Sequence, residues 1–121
     1  MKNSDPIRVN NIKQIAVGSS GKYRLVNLDE IIYMRSDSCY TKIYLTDNSS
    51  YTICKTLKDY QQELDKRLFI RCHNSFLVNR MFIKELISQN HDYLLLKTGD
   101  KIPISRRRYY ETRRLVLSAT I

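Results

Sequence analysis

Phe69-Ile70-Arg71-Cys72-His73-Asn74-Ser75-Phe76-Leu77-Val78-Asn79 decides how this chain is read. Phe69 to Arg71 and Ser75 to Val78 are short apolar runs with the composition of strands. Basic and amide side chains interrupt them, and such groups bond phosphate oxygens and base edges. Further along, Ile102-Pro103-Ile104-Ser105-Arg106-Arg107-Arg108-Tyr109 repeats the combination. Together the two segments suggest a reader of DNA.

Outward from this segment, short apolar runs alternate with turn residues in both directions. Toward the N-terminus, Leu57, Tyr60 and Leu64 share one helical face, and Thr56 with Asp59 supplies an N-cap, so the spacing predicts a helix ending near Lys66. Tyr40 to Leu45 and Tyr51 to Cys54 read as a hairpin turned by Asp47-Asn48-Ser49-Ser50. Ile31-Ile32-Tyr33-Met34 has the continuous apolar character of a strand buried on both faces, and the polar stretch Arg35-Ser36-Asp37-Ser38 follows it. Ile12 to Val17 and Tyr23 to Val26 form another hairpin around Gly18-Ser19-Ser20-Gly21-Lys22.

Toward the C-terminus, Phe82 to Ile87, Tyr93 to Lys97 and Lys101 to Ile104 are strand-like, with turns at Asn90-His91-Asp92 and Thr98-Gly99-Asp100. The tail from Arg107 is expected to be helical. Its apolar positions Tyr109, Tyr110, Val116 and Leu117 repeat at seven but skip the intermediate turn, which predicts a short helix resting on the sheets. The expected fold class is mainly β.

A chain of 121 residues fits one domain with its own core. Residues 1–11 are expected to be a disordered or extended N-terminal segment, and 12–121 the domain. Lysine and arginine outnumber aspartate and glutamate by 21 to 12, a formal charge of +9 that attracts polyanions. The excess is concentrated late: from Lys101 to Arg114 six basic residues face one acid, Glu111. Cys39, Cys54 and Cys72 are odd in number and lack metal-ligand spacing, and the N-terminus is polar, so they read as reduced thiols of a cytoplasmic protein. No run approaches the roughly eighteen apolar residues of a membrane span, so no membrane insertion is expected.

Leu28-Asp29-Glu30-Ile31-Ile32-Tyr33, Tyr40-Thr41 with Tyr44-Leu45, Thr56-Leu57 before the helix, Phe69 to Ser75 with Val78-Asn79, and Ile102 to Arg107 stand in a telling order and spacing. Over roughly Ile12 to Leu117 the chain resembles the LytTR (LytR/AgrA-type) DNA-binding domain of bacterial response regulators. The resemblance implies an elongated fold of about ten short strands in packed antiparallel sheets with one or two short helices. It also implies a transcription regulator of two-component signalling, with double-stranded DNA as partner and loops entering successive major grooves. An upstream receiver or sensor domain, absent from these residues, and a second copy on direct repeats belong to the same expectation.

In the family three loops read bases, and matching the motifs puts those positions at Tyr40, Asn74 and Arg106. An arginine offers two parallel donors to O6 and N7 of guanine, and an asparagine offers a donor and an acceptor to adenine. Tyr40 either bonds a base edge or phosphate, or packs beneath its loop. Many family members carry arginine where Asn74 stands. Lys42, Arg71, Ser75, Ser105, Arg107 and Arg108 are candidate phosphate contacts, since a hydroxyl or cation beside a reader fixes its register. For Arg71 the competing reading is a partly buried ion pair with a carboxylate, and for Arg107 and Arg108 a helix start facing water. Asn79 ends an apolar run and reads as a residue that bonds backbone at a turn.

His73 lies beside Cys72 and two residues before Ser75, but Cys39, Cys54 and His91 lack paired metal spacing and Ser75 lacks a glycine-rich elbow. A histidine that orients its loop, a packed Cys72 thiol, no cofactor, no metal and no enzymatic activity are therefore expected. Two other functions stay open: an RNA or single-strand binder, which an exposed row of tyrosines on one sheet would favour, and a protein-interaction domain.

Overall fold

The computed structural model describes residues 13–118, so the segment expected over residues 1–11 lies outside the described residues. β1 (Gln14–Ser19) and β2 (Lys22–Asn27) pair as a hairpin. β3 (Ile31–Asp37), β4 (Tyr40–Leu45), β5 (Ser50–Ile53), β6 (Phe69–His73) and β7 (Phe76–Asn79) form a five-stranded sheet in the order β5-β4-β3-β7-β6. β8 (Ile83–Gln89), β9 (His91–Leu96) and β10 (Lys101–Pro103) form a third sheet with β9 at its centre. All pairings are antiparallel. Helix α1 (Leu57–Glu63) precedes β6, and α2 (Tyr109–Ser118) follows β10. The mainly β architecture read from the sequence is the one observed.

The five-stranded sheet separates two hydrophobic cores. On one face Ile31, Met34, Ile43, Leu45 and Leu77 pack against Val17 and Val26 of the hairpin and Leu57, Tyr60 and Leu64 of the α1 region. On the other, Ile32, Cys72 and Val78 pack against Leu94, Leu96, Ile102 and Ile104, with Tyr109 and Val116 of α2 at the margin. β3 feeds both cores, as its continuous apolar run predicts. Strict alternation would send Ile31 and Met34 to opposite faces, yet both enter the first core. The register shift between Ile31 and Tyr33 along β4 accounts for this, because a bulge inserts the residue that resets the pleat.

Local chemistry explains where elements stop. Thr56 Oγ1 accepts from the Asp59 N–H at 3.1 Å and starts α1 as its spacing predicts. The helix ends at Glu63, before Lys66, because Leu64 turns extended to bury its side chain and Asp65 Oδ1 takes the Arg67 N–H into a turn at 2.8 Å. In the β1–β2 hairpin, Gly18 sits at φ +121°, where an added Cβ would stand 2.3 Å from the Lys22 carbonyl oxygen. The β8–β9 reversal is tighter than Asn90-His91-Asp92, since Asn90 alone takes a positive φ of 68° and His91 already belongs to β9. In α2, fully buried Thr112 fills the intermediate turn that the apolar pattern skips, while Tyr110 is 80% exposed. The Arg80 guanidinium donates to the Leu115 carbonyl at 2.7 Å and to the Val116 carbonyl, holding the end of the helix on β8's side.

Asn79 is wholly buried and does what its place at the end of an apolar run suggests. Its Nδ2 donates to the carbonyls of Leu28 (3.2 Å) and Ile31 (2.8 Å), while its Oδ1 accepts from the Met81 N–H at 2.9 Å. The amide thus welds the start of β3 to the end of β7. Asn79→Leu would strand these buried backbone groups, so urea unfolding should show a loss of about 2 kcal/mol or more, and an unchanged midpoint would contradict the role.

Cys72 is also fully buried, and burial pushes its thiol up to about 12. Cys39 and Cys54 are exposed. A thiol reagent at pH 8 should therefore titrate two thiols in the native chain and the third only after denaturation. Rapid reaction of all three without denaturant would show that the second core is open.

Candidate nucleic-acid interface

Pairing of Asp37 with Tyr40 and of Arg35 with Phe76 puts the β3–β4 and β6–β7 turns at the same end of the five-stranded sheet. Beyond the ladder, the Ser36 N–H donates to the Ser75 carbonyl at 2.9 Å and ties the two turns together. The loop after β10 joins them from the other sheet, where the Ser105 N–H donates to the Cys72 carbonyl at 3.0 Å. Tyr40, where the first turn enters β4, and Asn74 and Arg106, on the other two loops, therefore stand at one end of the molecule, and all three are exposed. The sequence indicates the residue types; the strand register supplies their convergence.

Each loop is built to hold its shape. Ser38 takes a positive φ of 58°, which closes the β3–β4 turn over Ser38-Cys39 and releases Tyr40 at the start of β4. In the β6–β7 turn, Arg71 donates from Nε to the His73 carbonyl (2.9 Å), from Nη2 to the Asn74 carbonyl (2.6 Å) and from Nη1 to Gln61 Oε1 (2.6 Å). These bonds go to carbonyl oxygens, neither to a carboxylate nor outward. Burial, and then the like charge of Arg108, lower the pKa of the Arg71 guanidinium. His73 Nδ1 accepts from the Ser75 N–H at 3.0 Å, and its ring meets Phe76 edge-on at 5.7 Å, the orienting role expected of it.

The third loop turns tightly into α2, with the Arg108 N–H donating to the Ser105 carbonyl at 3.1 Å. Arg106 and Arg107 are left exposed, while Arg108 is half-buried and directs Nη2 to Asn74 Oδ1 at 3.5 Å. Ser75 and Ser105 are half-buried beside the readers. Lys42 lies across from Arg35 in the β3–β4 ladder, and both cations flank the Tyr44 ring, at 5.4 and 5.9 Å. Tyr44 in turn stacks on Tyr33 at 4.5 Å.

Arg35 is the residue that sequence reasoning missed. Its stretch reads as a polar segment after the strand, but β3 runs on to Asp37, and the alternation of Tyr33 and Arg35 is the signal that could have exposed it. His91, Tyr93 and Lys101 likewise line an open cleft beside Arg106, reached only through pairing of β9 with β10. Across residues 35–42, 71–76 and 104–109 six lysines and arginines face a single acid, Asp37, so this end carries a positive field. The exposed tyrosines, Tyr23, Tyr40 and Tyr110, lie on β2, β4 and α2 and form no row on one sheet. No helix among the described residues is long and apolar enough to cross a membrane.

Comparison with known proteins finds related sequences and a related fold. Residues 21–116 match the family model of the LytTr DNA-binding domain. Sensory transduction protein LytT of Bacillus subtilis is 36% identical over 94 residues, covering 76% of this chain and 39% of that protein. Transcriptional regulatory protein YpdB of Escherichia coli K12 is 33% identical over 92 residues, 74% of this chain and 37% of that protein. The chain thus spans about two fifths of the length of these relatives. A solved LytTr DNA-binding domain from Bacillus cereus superposes with a TM-score of 0.77 at 22% identity, covering 88% of this chain and 99% of the other, a likeness of fold. By sequence and by fold, this chain belongs to the LytTr DNA-binding domain family.

Proposed function

We propose that the chain binds double-stranded DNA sequence-specifically, as the output domain of a bacterial transcription regulator in the cytoplasm, with its loops inserted in successive major grooves. The observation that carries this reading is the meeting of three exposed residues at or beside loop tips, Tyr40, Asn74 and Arg106, at one basic end. Arg106 is exposed and its guanidinium fork, without a side-chain partner among the described residues, suits guanine, and Asn74 has an amide that reaches a base edge. Tyr40, 44% exposed, offers its phenol to a base or phosphate.

Lys42, Ser75, Ser105 and Arg107 fix the register on phosphates, and Arg71 and Arg108 add charge behind the readers. An upstream receiver or sensor, and a second copy on direct repeats, complete the proposed regulator. The absence of a tyrosine row argues against single-strand stacking as the main mode.

Selection from random duplexes, followed by footprinting, tests binding, site and repeat spacing together. Arg106→Ala should cost about 1–3 kcal/mol and relax preference at one base position, whereas Arg107→Ala should weaken binding to every sequence alike. Equal losses on selected and random duplexes for both variants would contradict the assignment of roles. Log K should fall with log salt by about 0.9 for each phosphate contacted, and affinity indifferent to salt would favour a protein-interaction domain instead.

A further inference from the structure

Arg108 and Asn74 are far apart in the chain and meet at the proposed interface. A guanidinium carries only donors, so the Asn74 amide atom that faces Arg108 Nη2 must be the oxygen. The amide nitrogen then points away from Arg108. From these contacts we infer that Arg108 is a positioning residue that presets the Asn74 side chain with its donor outward, so that this turn selects a base presenting an acceptor and rejects cytosine. The inference rests on the proposal that Asn74 reads a base.

The rest of the turn leaves little other freedom. Arg71 holds the carbonyls of His73 and Asn74, and His73 Nδ1 holds the Ser75 N–H, so the backbone on both sides of Asn74 is fixed. The side-chain amide is what remains to be set. Arg108 is suited to the task because its stem is half-buried where the chain enters α2. Its Nε is buried without a hydrogen-bond partner among the described residues. It also sits close enough to Arg71 for the two charges to repel. In spite of both penalties the side chain lies against the Asn74 turn, with Nη2 at 3.5 Å from Asn74 Oδ1.

In the major groove N7 of either purine, O6 of guanine and O4 of thymine accept, whereas cytosine offers the N4 amino donor. An amide locked donor-outward therefore meets no acceptor at cytosine. An unlocked amide flips at little cost and takes the cytosine amino group on its oxygen.

Arg108→Met keeps an unbranched stem in the covered space and removes every donor, with thermal melting to check that the fold is retained. Two measurements are made on the wild type and this variant. Without DNA, NMR relaxation of the Asn74 side-chain amide should show a restricted group in the wild type and a mobile one in the variant. With DNA, selection from random duplexes should show cytosine disfavoured by about tenfold at one position in the wild type. That position should also lose its preference in Asn74→Ala. In Arg108→Met the discrimination should drop toward parity while the slope of log K against log salt falls by much less than the roughly 0.9 of a lost phosphate contact.

Equal mobility of the amide in both proteins would overturn the inference whatever the DNA result. So would a variant that loses affinity for all sequences alike with a salt slope smaller by about 0.9, since Arg108 would then be a phosphate contact. A restricted amide in a wild type with no base preference at all would instead remove the premise that Asn74 reads a base, and cytosine rejection with it.

Discussion

Two backbone hydrogen bonds, Ser36 to Ser75 and Ser105 to Cys72, set the relation among three loops that are remote in sequence. Being backbone bonds, they leave the tips of the loops free to vary in side chain while their spacing is kept. A side-chain constellation built on independent flexible loops would lose entropy each time it met a ligand. Here the ordering is done by folding. Arg71 and His73 extend the same logic inward: His73 and two of the three Arg71 donors bond the turn's own backbone, and the third Arg71 donor reaches Gln61 of α1.

The support beneath those loops is a sheet covered on both faces. β3 and β7 contribute to both cores, and buried Asn79 links them through carbonyls of Leu28 and Ile31. A shift of either strand would disturb both cores and the amide bonds at once. Register is strongly specified in such a sheet, because a slip of one residue sends every apolar side chain to the wrong face. The rigidity of the interface therefore follows from packing well away from it. The bulge in β3 is part of this device, since it lets four successive residues serve two cores.

Much of this was legible in the sequence. Strand runs, turn residues and the Thr56 cap gave the order of elements, and the family motifs pointed to Tyr40, Asn74 and Arg106. Other features depend on pairing that no local pattern states. β3 continues through Arg35-Ser36-Asp37 because β4 lies beside it, so a stretch that reads only as polar is a paired strand. The turn of α2 that the apolar pattern skips is filled by fully buried Thr112, a residue type whose burial no local pattern announces. Arg71 reads as a phosphate ligand or half of an ion pair until its three carbonyl partners are known. The link between Arg108 and Asn74 is of the same kind, a contact made by tertiary structure alone.

On the proposed function, duplex DNA sits at the one basic end formed by three converging loops. This placement is tested most directly by titrating the isotope-labelled chain with a duplex recovered from a random pool and mapping the backbone NMR shifts. The largest changes are expected to cluster at residues 37–40, 73–76 and 105–108 and to saturate together. Changes centred instead on the outer face of the β1–β2 hairpin, around exposed Tyr23 and Leu25, would contradict that placement.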